Sequence, residues 1–388
     1  MVMRIYFDNS ATTPLDPRVA EAMLPCLSGN LFGNPSSQHT EGLIAREVVE
    51  SSRASVARLL GISPAEVVFT ASGTEADNMA ILGVWQQFAG QPFHMVTSAI
   101  EHPAILATCR FVEQLGGTVT YLPVDDTGMV SPGDLAAALR PDTRLVSIMA
   151  ANNVVGTIEP VRELGRIARG HGAIFHTDAV QSAGKIPLDL YRDNCDLISL
   201  SAHKLHGPKG VGALIIRDGT PFEPLIHGGG QEGGRRSATE NVAGIAGFGK
   251  AAAIARAEMA EEGTRLAGLR DRLITGVEDA LENAYLIGHR TERLPGHVCL
   301  GLRQLEGEAM RLLLLLDDAG IAVSTGSACS SHHAGEPSYI LTAMGFDPIQ
   351  ARGSLRITLG RFNTRAEVDT FLAVFPRIAG TLRPLSQT

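Results

Sequence analysis

From residue 40 to about 255, short apolar, β-branched runs alternate with stretches of helical spacing. No other feature constrains the fold as strongly. EVVFTAS (66–72), HMVTSAI (94–100), TVTYLPVD (118–125), RLVSIMAA (144–151), AIFHTDA (173–179), DLISLSA (196–202) and VGALIIRD (211–218) read as strands. TEADNMAILGVWQQF (74–88) and PVRELGRIARGHG (160–172) read as helices, and Ile44, Val48, Val56, Leu59 and Leu60 recur at helical spacing over 42–60. Strands that are apolar throughout need cover on both faces. The pattern therefore predicts an α/β unit with a mostly parallel sheet between helices. In such sheets ligands sit beyond the carboxyl ends of the strands.

The chain has 388 residues, long enough to expect two domains. After the Gly-rich stretch HGGGQEGGRRSATENVAG (227–244), a long Ala/Arg/Glu-rich helical region runs to about residue 283. Strand-like HVCLGLRQL (297–305), helix-like EAMRLLLLLDDAG (308–320), and strand-like IAVST and SLRITLG then follow. The predicted division is a large domain over 15–256 and a smaller α+β domain built from 1–14 and 257–388. The net charge of −8 and the lack of a basic run argue against a nucleic-acid surface. The longest apolar run, 312–316, is too short to cross a bilayer, and the N-terminus has no apolar leader core. Five scattered cysteines without a CxxC suit a reducing cytoplasm.

The residues just past the predicted strands form an unusual set. They are Gly73-Thr74-Glu75, Glu101-His102-Pro103, Asn152-Asn153, Asp178 with Gln181, and Ser201 with His203-Lys204. Lys204 poses the sharpest question, because a buried ammonium costs several kcal/mol unless it is paired or neutralised. One cofactor would use the whole set. Pyridoxal phosphate needs an amine for its Schiff base and a carboxylate for its ring nitrogen. Its phosphate favours a helix N-terminus, here Gly73-Thr74. Lys204 fits the first role and Asp178 the second.

Across nearly the whole chain the motifs resemble one family. They are IYFDNSATTPLDPRV (5–19), FGNPSSQH (32–39), FTASGTEADN (69–78), EHPA (101–104), ANNVVGT (151–157) and HTDAVQ (176–181). SAHKLHGPKGVG (201–212), HGGGQEGGRRSATEN (227–241), STGSACSS (324–331) and SLRITLGRFNT (354–364) complete the series. In this order they resemble the cysteine desulfurases of the NifS/IscS type, in the class V aminotransferase superfamily, with the pyridoxal-phosphate fold type I.

That resemblance implies roles. Lys204 resembles the lysine that bonds the cofactor, and His102 the histidine stacked on its ring. Asp178 resembles the ring-nitrogen partner, and Gln181 the donor to the ring hydroxyl. Gly73, Thr74, Ser201 and His203 resemble the phosphate cradle. Thr239 resembles a phosphate ligand that reaches in from a second subunit, implying a homodimer with shared sites. Asn153 and Arg356 resemble the groups that hold the substrate carboxylate, with Asn34 near them. Cys329, in the Gly/Ser-rich stretch 324–337, resembles the nucleophile that takes sulfur from L-cysteine as a persulfide, releasing L-alanine. A sulfur acceptor such as an iron–sulfur scaffold is the implied partner.

Each of these residues also has a blander reading. Lys204 alone could extend to water, Asp178 alone could cap a helix, and His102-Pro103 could be a turn. Their joint occurrence disfavours each. His203 and His206 lack a third ligand candidate, so no zinc site is expected. Gly228, Gly230 and Gly233 match GxGxxG without a strand–turn–helix around them, so no dinucleotide site is expected. Three alternatives stay open: another class V aminotransferase, a selenocysteine lyase, and a non-catalytic sulfur-relay scaffold.

Overall fold

The computed structural model describes residues 4–326 and 337–382. Its elements run β1 (Ile5–Tyr6), α1 (Pro17–Ser28), α2 (Thr40–Leu60), β2 (Val67–Thr70), α3 (Gly73–Gln87), β3 (His94–Ser98), α4 (Pro103–Gln114) and β4 (Thr118–Leu122). Next come α5 (Pro132–Ala138), β5 (Thr143–Ser147), α6 (Val161–His171), β6 (Ile174–Asp178), β7 (Leu197–Ser201) and β8 (Gly212–Ile216). A long α7 (Val242–Ala280) leads to β9 (Ala284–Leu286), β10 (His297–Leu302), α8 (Ala309–Asp318), β11 (Ile321–Ala322) and β12 (Ser324–Thr325). The chain ends with α9 (Tyr339–Ala343), β13 (Ser354–Thr358) and α10 (Arg365–Thr381).

Seven strands form the main sheet in the order β2-β8-β7-β6-β5-β3-β4. Alternate side chains go to opposite faces, and each face carries its own core. Phe69, Val96, Val146, Phe175, Ile198 and Ile215 pack with Val49, Val56, Leu164 and Phe248 of α2, α6 and α7. Val68, Met95, Leu145, Ile174, Leu197 and Leu214 pack with Met79, Ile81, Ile105 and Val112 of α3 and α4. The apolar strands are thus covered on both sides, as their composition requires.

One strand departs from the parallel expectation. β8 runs antiparallel to both β2 and β7. Residues 202–211 join β7 to β8, too short a connection for the crossover of roughly a dozen or more residues that a parallel neighbour needs. The chain therefore turns back at the rim, and that turn carries Lys204.

A second sheet, β12-β13-β10-β9, and the β1–β11 pair share another core. Phe7, Val298, Leu300, Leu316, Ile357, Phe371 and Phe375 are buried there. The N-terminal strand thus joins the C-terminal segment. α7 serves both cores without a break: Ile245, Phe248 and Ala252 face the first, and Leu269, Leu273 and Val277 the second. The expected boundary at 256/257 falls inside this helix.

Phe371 is fully buried, edge-on to Phe7 at 6.1 Å and stacked on Phe375 at 4.9 Å. Phe371→Ala should destabilise the C-terminal core by about 3–5 kcal/mol. An earlier denaturation midpoint on urea titration would report it; an unchanged midpoint would contradict this packing. Among the described residues no helix is long and apolar enough to cross a membrane.

Candidate active site

The carboxyl ends of β2, β3, β5, β6 and β7 border one cavity of about 430 Å³. Gly73, Thr74, His102, Asp178, Gln181, Ser201, His203 and Lys204 line it. Asn153 and Arg356 line it too, as do Asp8, Ser10 and Ala11 from the N-terminal segment. Residues far apart in sequence meet here because strand ends share one edge of the sheet, and β13 brings Arg356 from the second sheet.

The phosphate-like end has a clear local cause. Ser72 caps α3, its hydroxyl accepting from the Glu75 N–H at 3.1 Å. The first turn of a helix presents N–H groups without intrahelical acceptors, which attract anions. Gly73 is required by close approach. A Cβ there would stand 2.7 Å from Val180 Cγ2 and 3.3 Å from Ser201 Cβ.

Lys204 sits in a short 3-10 turn directly after β7. Its ammonium is neither isolated nor simply extended to water. It donates to the Ser10 carbonyl and, at 2.8 Å, to the Ala11 carbonyl. Those carbonyls belong to a strap over residues 8–16 that is sewn onto the same turn. Thr13 N–H donates to the His203 carbonyl, Asp16 N–H to that of His206, and His206 N–H to Thr13 Oγ1. His206 has a left-handed backbone (φ 60°), an unfavourable state for a non-glycine residue. The strap holds it there, with His206 Nδ1 2.9 Å from the Pro14 carbonyl.

Asp178 ends β6, and its Oδ1 accepts from Val180 N–H at 2.9 Å. Burial pushes its carboxyl up, while His102, the Val180 N–H and Lys204 pull it back. A cationic ring N–H in the cavity would favour the carboxylate further. His102 caps α4, its Nδ1 accepting from Ala104 N–H at 3.2 Å. Nδ1 is then the acceptor nitrogen of a neutral ring, so Nε2 carries the proton. Burial lowers its pKa and favours that neutral form. Burial, with Lys204, Lys209 and Lys185 nearby, likewise brings His203 down to about 4. Gln181 donates to the Ser10 carbonyl at 3.0 Å and accepts from Lys185 Nζ at 3.3 Å.

Asp77, His176 and Lys185 were not expected at the site from sequence, and Glu101, on the expected rim, proves deeply buried. Asp77 and Glu101 are buried carboxyls, raised well above the usual range mainly by desolvation. Asp77 Oδ1 lies 3.9 Å from His176 Nε2. That ring is held between Ser147 Oγ at 2.8 Å and Ser199 Oγ at 2.9 Å. Burial brings His176 down to about 3, so it stays neutral. Lys185 is brought down to about 7 by burial and by Lys204. Polar residues within a fully buried strand, as in IFHTD, are the one sequence signal that could have pointed to this layer.

Other expected site residues lie elsewhere. Asn34 is exposed and does not line the cavity; its Oδ1 accepts from Ser36 N–H at 2.9 Å. Thr239 is exposed and borders a separate hollow with Glu232 and Arg236. Cys329 lies outside the described residues, as do the rest of 327–336.

An amine, a buried carboxyl and an anion-ready helix N-terminus face one cavity at the carboxyl edge of a covered sheet. This is the framework of the aminotransferase-like α/β enzymes. The chain belongs to the class-V aminotransferase family, whose model matches residues 5–371. It is 49% identical over 386 residues to cysteine desulfurase IscS of Dictyoglomus turgidum, covering 100% of this chain and 97% of that protein. A solved NifS-like protein matches with TM-score 0.91 and 41% identity over 98% of this chain and 100% of its own. A structure described as SspA in complex with cysteine matches with TM-score 0.79 and 34% identity over 93% of this chain and 100% of that one.

Proposed function

We propose that this protein is a pyridoxal-phosphate-dependent cysteine desulfurase, converting L-cysteine to L-alanine and leaving the sulfur as a persulfide on Cys329. The observation that carries this reading is the convergence of Lys204, Asp178, His102 and Arg356 on one cavity in a chain with cysteine desulfurase relatives.

The residues present fit the cofactor. Lys204 is an amine on the cavity wall, Asp178 a buried carboxyl that a ring N–H would satisfy, and Gly73 a close-approach position at a helix N-terminus. When bound, the cofactor supplies an electron sink for the electrons of the substrate Cα–H bond. Lys204 would hold the cofactor and then move the Cα proton. His102 would assist proton transfer through Nε2 beside the ring. Asp178 would keep the ring nitrogen protonated, and Gln181 would donate to the ring hydroxyl. Thr74, Ser201 and His203 would join the Gly73 turn in holding the phosphate. Asn153 and Arg356 hold the substrate carboxylate, since a guanidinium fork grips a carboxylate at two points. The Cys329 thiolate attacks the substrate Sγ; an S–S bond forms as the Cβ–Sγ bond breaks.

The active form in this reading is a cytoplasmic homodimer, with Thr239 of the partner subunit completing the phosphate site. Support comes from the exposure of Thr239 and of Leu24, Leu27, Phe32 and Leu43 around α1 and the start of α2. A scaffold for iron–sulfur assembly is the sulfur acceptor in this reading.

The deciding test is Cys329→Ala. The variant should keep its yellow cofactor absorbance and lose sulfide release from L-cysteine. Undiminished sulfide release would remove Cys329 from the mechanism, and keto-acid formation indifferent to the substitution would point to an aminotransferase.

A further inference from the structure

The Arg356 guanidinium is paired within the chain itself. It projects from β13, is 2% exposed, and donates through Nη1 to the Asn153 carbonyl at 3.1 Å. Nη2 donates to Asp8 Oδ1 at 2.9 Å. Asp8 lines the same cavity as Lys204 and Asp178. We propose that Asp8 is a positioning residue that holds the Arg356 guanidinium until the carboxylate of an amino-acid ligand displaces it. The proposal rests on reading Arg356 as the substrate-carboxylate site, and it adds a competitor that every such ligand must move.

The two partners of the pair differ in freedom. Arg356 cannot shed its charge, because a guanidinium stays protonated in proteins. Left unpaired at this depth it would be strongly unfavourable, so the guanidinium needs an anion beside it. Asp8 supplies one from the chain itself. Its backbone is fixed: Phe7 N–H donates to the Ala322 carbonyl at 2.8 Å, Thr358 N–H to that of Phe7 at 2.7 Å, and Phe7 is fully buried. Its side chain, however, is 20% exposed against 2% for Arg356. When a second carboxylate arrives, Asp8 is the partner that can turn to water.

Charge is conserved in the exchange. One carboxylate leaves the guanidinium as another arrives, so Arg356 is paired before and after. An amine that lacks a carboxylate has nothing to offer in exchange and leaves Asp8 in place. Every amino acid that binds must overcome the internal pair, which weakens its hold and speeds release of the product.

The test is a titration of the cofactor-loaded protein with L-alanine, followed by cofactor absorbance, in wild type, Asp8→Asn and Asp8→Glu. In Asp8→Asn the dissociation constant should fall about fivefold, the scale of one partly exposed ion pair. Asp8→Glu keeps an anion and should restore weak, wild-type-like binding. Cysteamine, which has no carboxylate, should bind wild type and Asp8→Asn alike. Asp8→Ser is the substitute should Asp8→Asn fold poorly, judged by melting and cofactor uptake. Alanine binding unchanged or weaker in a folded, loaded Asp8→Asn overturns the proposal. Equal tightening of cysteamine overturns it as well, since the gain would then not come from carboxylate exchange. Sulfide release by wild type in the same preparations tests the desulfurase reading separately, because the exchange is read by binding alone.

Discussion

Lys204→Ala should abolish borohydride-fixable cofactor labelling and lower sulfide release by roughly a thousandfold, within the range for a lost general acid–base group. In the proposed mechanism one nitrogen would serve two roles, anchoring the cofactor and moving the Cα proton, so the expected loss exceeds that of an ordinary rim residue. The variant should still fold. Removing Nζ takes one donor from the Ser10 and Ala11 carbonyls at the cavity wall; the Ser10 carbonyl still accepts from Gln181, and the strap keeps its bonds from Thr13 and Asp16. Reductive labelling with mass mapping measures the first effect and sulfide assay the second. Label found on Lys185, the other amine close by, would reassign the anchor.

Asp178→Asn should leave the cavity's shape intact and remove the charge that steadies a protonated ring nitrogen. Losing the partner of a buried charge is worth ~3 kcal/mol or more, which corresponds to roughly a hundredfold in rate. The same substitution should shift the absorbance of the loaded protein, because the ring nitrogen would lose its proton. A rate near wild type with unaltered absorbance would show that the ring nitrogen is not held by this carboxyl. Burial already pushes Asp178 up in the chain alone. Its ionised form is thus the one that gains from a cationic partner, and Asn cannot replace that gain.

The two variants probe different kinds of legibility. Lys204 and Asp178 were readable because each lies at the carboxyl edge of a buried strand, where a charged side chain has no structural reason to stand. Gly73 was readable for a similar reason, opening a helix directly after a strand. The carbonyls of Ser10 and Ala11 left no such mark. A backbone acceptor has no residue-type signature, and IYFDNSATTP shows only turn chemistry until it folds over residues 203–206. Asp8 was silent on the same ground. Its partner Arg356 lies 348 positions away in sequence, and no local pattern predicts that pair. The buried Asp77 and His176 were hidden by their neighbours, because apolar periodicity marks only the residues that obey it.

By itself the sequence determined what short-range physics controls: the covered sheet, its flanking helices, and the chemical types gathered along one rim. Those follow from side-chain periodicity and from capping, which operate over a few residues. Only the tertiary structure decided the antiparallel turn of β8, the unbroken course of α7 through both cores, and which rim groups share a cavity. It also decided that Asp8 and a pair of strap carbonyls stand against the two fixed cations. These depend on segments that meet after collapse, when burial forces each charge and each backbone group to find a partner wherever the chain has placed one.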